Sequence, residues 1–184
     1  MSNAPKVAVL VGSLRKDSFN KRLAKAIGQL AGDRLQFVDV RIDDLPLYNQ
    51  DFDGDYPAAC KRLKQDIEGA DAVLVVTPEY NRSLPGVLKN ALDIASRPWG
   101  TNSLKGKPAA VIGASIGAQG TSMAQAHVDN VMLYLDTRLM AQPEVYLKLG
   151  DDSFDAEGGI ADESLRGFLG QFVDAFVAWI GDKR

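Results

Sequence analysis

Five short apolar segments alternate with five helical patterns along the 184 residues of the chain, and this alternation constrains the fold most. The segments 6–12, 72–77 and 108–114 are rich in valine and alanine, which is typical of strands buried on both faces. Weaker strands are predicted at 34–40 and at 139–146, a segment that contains a proline. Strands that alternate with helices form a parallel sheet covered by helices on both faces.

The spacing of apolar residues predicts the helices between these strands. Leu23, Ile27 and Leu30 mark one face of the first helix. The others are predicted from about residue 58 to 68, and at 85–95, 119–135 and 165–180. In the third helix, Pro85 is expected at the first helical position with Ser83 as N-cap.

No internal repeat and no long linker divides the chain, so we expect a single domain over residues 1–184. One segment lacks a clear periodic pattern. The stretch 151–163 is acidic, and we expect it to be a mobile, solvated excursion.

The chain has one cysteine, Cys60, and one histidine, His127. A disulfide within the chain, a CxxC motif and any site with two histidines are therefore excluded. A Ser-His-Asp triad would need His127, but the chain has no GxSxG elbow. Cys60 is expected to be a small packing residue. Either the protein is not an enzyme, or a cofactor supplies the chemistry.

The balance of charge excludes two classes of partner. With 24 acidic and 21 basic residues the net charge is −3, and no basic stripe is present for nucleic acid. No apolar run reaches the roughly 18 residues that span a membrane. A single thiol and the lack of a signal-peptide pattern predict a cytoplasmic protein.

The loop after the first strand carries groups that suit a phosphate monoester. It offers the hydroxyls of Ser13 and Ser18, the guanidinium of Arg15 and the amide of Asn20 at the start of a helix. It lacks the glycines of GxGxxG and the GK[ST] ending of a P-loop. The alternative is a capped helix with a solvated basic turn.

The loop after the third strand is stiffened by two prolines, at 78 and 85. Such a loop can hold backbone groups against a planar ligand, with Tyr80 at the ring edge and Asn81 supplying amide contacts. Glu79 is an alternative general base, and Arg82 faces either an anion or solvent. The remaining interpretation is a rigid turn that only starts the next helix.

Three motifs make the chain similar to a known family. GSLRKDSFN, TPEYNRSLPGVLKNALD and LKGKP, in this order, resemble the NADPH-dependent FMN reductase family, and within it the bacterial quinone and chromate reductases. The resemblance implies a flavodoxin-like three-layer α/β fold. Its five-stranded parallel sheet would have the order 2-1-3-4-5, with FMN at the carboxyl edge.

The same resemblance implies which residues bind FMN. It places Ser13, Arg15, Ser18 and Asn20 around the phosphate, with Leu14 and Phe19 in the same loop; Pro78, Glu79, Tyr80 and Asn81 along the ring; and Ser115 and Gly117 in a third flavin loop. It implies no catalytic side chain and no metal, because the flavin carries the chemistry.

The implied activity is ping-pong transfer of a hydride from NAD(P)H through FMN to a small-molecule acceptor. Acceptors of this kind are quinones, chromate and other metal oxyanions, azo compounds and free flavin. The first alternative is a flavodoxin-type electron carrier that serves a protein partner, which a net charge as small as −3 disfavours. The second alternative is a flavin-free sensor or binding module on the same fold.

The resemblance also implies self-association as a homodimer or a tetramer. The segment 45–48 matches a part of the family that lies near the dimer contact. Many relatives open the fourth helix with a Gly-Gly-Ala-Arg stretch, whereas this chain has Gly120, Thr121, Ser122 and Met123. The lost arginine weakens the expectation of tetramer-type and cofactor-phosphate contacts and leaves the flavin motifs unaffected.

Overall fold

The computed structural model describes residues 4–182, which are organised around one parallel sheet. Its strands are β1 (Lys6–Val11), β2 (Gln36–Asp39), β3 (Ala72–Thr77), β4 (Pro108–Ser115), β5 (Arg138–Leu139) and β6 (Tyr146–Lys148). Their order is β2-β1-β3-β4-β5, and β6 also pairs with β4. The predicted order 2-1-3-4-5, which is that of flavodoxin-like sheets, is confirmed.

The fifth position of the sheet is shared by two short strands. β5 pairs with Pro108 and Ala109, at the start of β4, whereas β6 pairs with residues 113–115 at its end. The prediction of one strand over 139–146 is therefore wrong. Pro143 lies between the two strands and has no N–H to donate to a ladder.

In the described residues, five α-helices cover the two faces of the sheet. They are α1 (Phe19–Ala31), α2 (Ala58–Glu68), α3 (Gly86–Ala95), α4 (Ser122–Tyr134) and α5 (Glu163–Gly181). Strand side chains alternate between the faces: Val7 and Val9 pack with α1 and α5, whereas Ala8 and Leu10 pack with α2 and α3. This gives the predicted three layers. None of the described helices is both long and apolar enough to cross a membrane.

The acidic segment 151–163 is held against the fold, so the expectation of a solvated excursion is wrong. Phe154 and Ile160 are only 7% and 2% exposed, pair with each other in a short bridge and belong to the core beside α1 and α5. The Arg22 guanidinium lies 4.0 Å from the centre of the Phe154 ring and bonds to Asp151 at 2.8 Å. The burial of two apolar side chains thus holds this segment on the core despite its acidic composition.

The single cysteine is a packing residue, as predicted. Cys60 lies on α2 and is 1% exposed, and burial raises the pKa of its thiol. The neutral thiol therefore persists at physiological pH and contributes volume to the core rather than a nucleophile.

Asp129 on α4 is partly buried, so its titration makes the stability of the fold depend on pH. Burial, and secondarily the charge of Glu144, raise the pKa of its carboxyl from 3.8 to about 6. The folded state therefore binds more protons than the unfolded state between these values, and stability falls as pH rises through this window. Asp129→Asn removes this loss, because its side chain is neutral at every pH.

We expect Asp129→Asn to gain about 2 kcal/mol of unfolding free energy relative to the unsubstituted protein between about pH 4 and pH 7. Urea unfolding of both proteins at the two pH values measures this difference. A difference that is independent of pH would contradict the prediction.

Candidate functional site

Three loops meet at the carboxyl edge of the sheet, where β1, β3 and β4 end. We call them the β1 loop (12–18), the β3 loop (78–85) and the β4 loop (116–121). The absence of a side chain at Gly113 allows the chain segments to approach closely at this edge. A Cβ on this residue would lie 2.1 Å from the carbonyl oxygen of Thr77 and 2.4 Å from Oγ1 of Thr121. Only glycine fits there, so the ends of β3 and β4 and the start of α4 converge.

The β1 loop offers unused hydrogen-bond donors at the start of α1. Ser13 is 4% exposed, yet its hydroxyl has no partner within residues 4–182. The N–H groups of residues 13 to 17 likewise donate to nothing in the described part of the chain. Ser18 caps α1 by accepting from the N–H groups of Asn20 and Lys21, and the first turn contains no acidic residue. This helix end can therefore receive an anion.

Asn20 has a structural role that the sequence did not reveal. Its side chain is buried, and both ends of the amide bond to Ala114 near the end of β4: Nδ2 donates to the carbonyl oxygen and Oδ1 accepts from the N–H, each at 2.9 Å. Asn20 therefore ties the β1 loop to the strand that leads into the β4 loop. Its predicted contact with phosphate stays a prediction.

The β3 loop is a tight hairpin. Tyr80 and Ser83 exchange two backbone hydrogen bonds of 3.0 Å, and the residues between them, Asn81 and Arg82, have φ values of 51° and 61°. Two successive positive φ angles in a two-residue loop are the geometry of a type I′ turn. The hairpin fixes the direction of this segment beyond the end of β3.

The expectation that Ser83 caps α3 is wrong. The backbone of Ser83 belongs to the hairpin, and its hydroxyl bonds to Nδ1 of His127 on α4 at 2.9 Å. α3 begins at Gly86, and Pro85 precedes it with an extended backbone. The only histidine of the chain thus supports the hairpin from the exposed face of α4.

Glu79 links the same hairpin to the start of α4. Its Oε2 accepts hydrogen bonds of 3.0 Å from the N–H groups of Met123 and Ala124. The carboxylate thus caps α4 and faces the positive end of the helix. Together with the Ser83–His127 bond one helical turn further, it fixes the hairpin on α4 at two points.

The β4 loop is closed by Ser115 and by two glycines. The Ser115 hydroxyl donates to the carbonyl oxygen of Gly120 at 2.6 Å and accepts from the N–H of Gly117 at 3.2 Å. Gly120 has a φ of 60°, and a Cβ there would lie 2.8 Å from the carbonyl carbon of Tyr146. The predicted residues Ser115 and Gly117 therefore lie at the same edge as the other two loops.

Each loop also carries an exposed apolar side chain. Leu14, Tyr80 and Ile116 are 51%, 50% and 73% exposed, and Met123 at the start of α4 is 41% exposed. The edge thus combines backbone donors with apolar surface, which is the combination that a planar, phosphorylated ligand requires.

A large cavity lies elsewhere. A cavity of about 680 Å³ opens at the amino edge of the sheet, beside the ends of α2, α3 and α4, and is lined in part by Glu68, Trp99 and Asp136. A second, of about 470 Å³, lies between α1 and β2 and reaches Ser13 and Leu14. We place the site at the carboxyl edge because unused donors and a converging loop geometry, rather than depth, mark it.

Replacement of Asn20 tests how the site is held together. We expect Asn20→Ala to lower the free energy of unfolding by about 2–3 kcal/mol, because it leaves a buried N–H and a buried carbonyl of Ala114 without partners. Gln29→Ala is the matched control, since Gln29 is an exposed amide on the same helix with a single bond to the Glu157 carbonyl. Urea unfolding compares them, and equal effects would contradict this role.

Comparisons with known proteins agree with this geometry. A family model described as NADPH-dependent FMN reductase matches residues 5–152. A 2-hydroxy-1,4-benzoquinone reductase from Burkholderia sp. is 54% identical over 98% of this chain and 99% of its own length. A quinone reductase from Pseudomonas putida is 46% identical over 98% of this chain and 97% of its own length.

A solved structure is similar throughout. The flavoenzyme FerB, an NAD(P)H:(acceptor) oxidoreductase from Paracoccus denitrificans, is 52% identical, covers 97% of this chain and 98% of its own, and superposes with a TM-score of 0.94. The predicted resemblance is confirmed, and with it an enzyme that uses FMN and NAD(P)H. The electron-carrier and flavin-free alternatives are not supported. With a family model matched along most of its length and relatives near half identity, the chain belongs to the NADPH-dependent FMN reductase family.

Proposed function

We propose that this protein is a quinone reductase that transfers reducing equivalents from NAD(P)H to quinones through FMN, in a ping-pong sequence. The observation that carries the proposal is the open N-terminus of α1, with its unused donors, beside a rigid hairpin at the same sheet edge. The net reaction moves two electrons and two protons: NAD(P)H yields a hydride, water a proton, and the quinone becomes a hydroquinone.

The β1 loop fits the FMN phosphate. The Ser13 hydroxyl is nearly buried and unpartnered, the N–H groups of residues 13–17 are free, and Arg15 makes no salt bridge to any residue between 4 and 182. The start of α4, at the same edge, already holds the Glu79 carboxylate. A phosphate would be repelled there and attracted at α1.

The β3 loop fits the flavin ring. Tyr80 presents an exposed aromatic side chain, and the N–H groups of Glu79, Asn81 and Arg82 bond to no group in residues 4–182. We propose that Pro78, Glu79, Tyr80 and Asn81 line the ring through these groups, and that Ser115 and Gly117 form a third flavin loop. When bound, FMN supplies the two-electron chemistry, and these residues hold and orient it.

Quinones are the acceptors that we propose first. The Burkholderia relative is named for 2-hydroxy-1,4-benzoquinone and the Pseudomonas putida relative for quinones. Chromate and other metal oxyanions, azo compounds and free flavin are proposed as further acceptors, since each could take the electrons that FMN would supply when bound.

We propose that the enzyme is one domain over residues 1–184, acts in the cytoplasm and assembles as a homodimer, or a tetramer built from it. Leu47, within the segment 45–48, is 82% exposed in the single chain, which a dimer contact there would cover. Sedimentation of an active monomer would contradict the assembly.

The function is tested by turnover of the FMN-loaded protein with NADPH or NADH and 1,4-benzoquinone. We expect NAD(P)H oxidation that depends on the quinone, with parallel double-reciprocal plots as both substrates are varied. Protein that gains no FMN absorbance on reconstitution, or that binds FMN without oxidising NAD(P)H, would refute the proposal.

Changes in the β1 loop separate binding from catalysis. We expect Ser13→Ala and Arg15→Ala each to weaken FMN binding about tenfold or more, since each removes a charge-assisted hydrogen bond, and to leave the apoprotein's unfolding free energy within about 0.5 kcal/mol. Fluorescence titration with FMN measures the first effect. Lys16→Ala, in the same exposed turn, is the control. A variant that kept full FMN but lost turnover would contradict this assignment.

A further inference from the structure

We infer that Arg82 selects anionic acceptors at this site, in particular quinones that carry an ionised hydroxyl. The inference rests on the proposed function, because it concerns the acceptor of the same reaction. Three observations support the inference. They are the backbone conformation of Arg82, the lack of a side-chain partner for it within residues 4–182, and the rigidity of the hairpin that contains it.

The backbone of Arg82 is in an unfavourable conformation for its residue type. It occupies the second central position of the type I′ turn with a φ of 61°, where glycine is preferred. A residue other than Gly, Asn or Asp is disfavoured in this region, because its Cβ comes too close to the following carbonyl oxygen. Arginine here lowers stability, and strained residues of this kind cluster at functional sites.

The guanidinium of Arg82 contacts no hydrogen-bonding, charged or aromatic group within residues 4–182. Most arginines in residues 4–182 bind a carboxylate or an aromatic ring, as Arg62 does with Asp44 and Arg97 with Trp99. Within that range, only Arg15, Arg82 and Arg166 make no side-chain hydrogen bond, salt bridge or ring contact. Arg166 lies on α5 and belongs to none of the three loops, whereas Arg15 and Arg82 lie in the β1 loop and the β3 loop at the carboxyl edge.

The hairpin holds Arg82 in place before any ligand binds. Its base is closed by the Tyr80–Ser83 pair, and Ser83 and Glu79 attach it to α4. Glu79, the nearest acidic residue along the chain, directs Oε2 at the amides of α4. The cationic group is therefore carried on a fixed support, which reduces the entropy lost when an anion binds.

Hydroxyquinones match this group chemically. A hydroxyl on a quinone ring is a vinylogous carboxylic acid, so it ionises at neutral pH and shares its charge between two oxygens in the ring plane. A guanidinium is a planar fork of donors suited to such a pair of oxygens. An unsubstituted quinone has the same ring without the charge, so it gains nothing from Arg82.

The test compares these two acceptors in two variants of the FMN-loaded enzyme. Arg82→Asn keeps a residue that tolerates positive φ but removes the charge, and Arg82→Lys keeps the charge without the fork. We expect Arg82→Asn to lower kcat/KM for 2-hydroxy-1,4-benzoquinone about five- to tenfold. We expect the value for 1,4-benzoquinone to change less than twofold. Arg82→Lys should lie between, and added salt should reduce the selectivity of the unsubstituted enzyme.

Arg166→Gln is the matched control, since it removes an equally unpartnered arginine from another part of the surface; it should leave the ratio of the two kcat/KM values unchanged. An equal fall for both quinones, or loss of FMN from Arg82→Asn, would overturn the inference in favour of a structural role. A rise in KM for NADPH but not for NADH, with quinone selectivity unchanged, would overturn it in favour of a contact with the cofactor's 2′-phosphate.

A binding measurement separates this inference from the proposed function. Calorimetric titration of the oxidised, FMN-loaded protein with 2-hydroxy-1,4-benzoquinone needs no turnover. Tighter binding to the unsubstituted protein than to Arg82→Asn supports the role of Arg82 even if neither quinone is reduced. Equal binding overturns it even if both quinones are reduced.

Discussion

The contact between Asn20 and Ala114 joins parts of the chain that are 94 residues apart. Parallel strands bring the ends of β1, β3 and β4 to one edge, but they do not fix how the following loops approach one another. The buried amide of Asn20 fixes the start of α1 against β4, and Gly113 allows β3, β4 and α4 to converge. The approach of the three loops therefore depends on these two features.

The starts of α1 and α4, which both lie at this edge, have different electrostatic roles. The Glu79 carboxylate faces the positive end of the α4 dipole. Among residues 4–182, by contrast, the start of α1 has only the Ser18 hydroxyl as a cap. Because the Glu79 carboxylate already occupies the start of α4, an incoming phosphate is favoured at α1 over α4. The same carboxylate anchors the hairpin, so one side chain both blocks the wrong anion site and holds the segment that we propose lines the ring.

Much of this architecture could be predicted because buried strands and amphipathic helices leave periodic patterns. The sheet order came from the resemblance. The failures have a common cause. Phe154 and Ile160 are two apolar residues within an acidic stretch, and their burial depends on α1 and α5 rather than on local composition. Ser83 resembles an N-cap by spacing, but its hydrogen bonds go to Tyr80 and His127.

The sequence by itself determined the alternation of strands and helices, the shortage of catalytic side chains and the set of polar residues placed after β1 and β3. Those properties depend on spacing and composition, which are local. Only the tertiary structure decided that Asn20 connects α1 to β4, that Glu79 caps α4 and that Arg82 has no side-chain partner in the described part of the chain, residues 4–182. Each of these depends on atoms brought together from distant parts of the chain, and a hydrogen bond exists only at a distance and angle that sequence spacing does not specify.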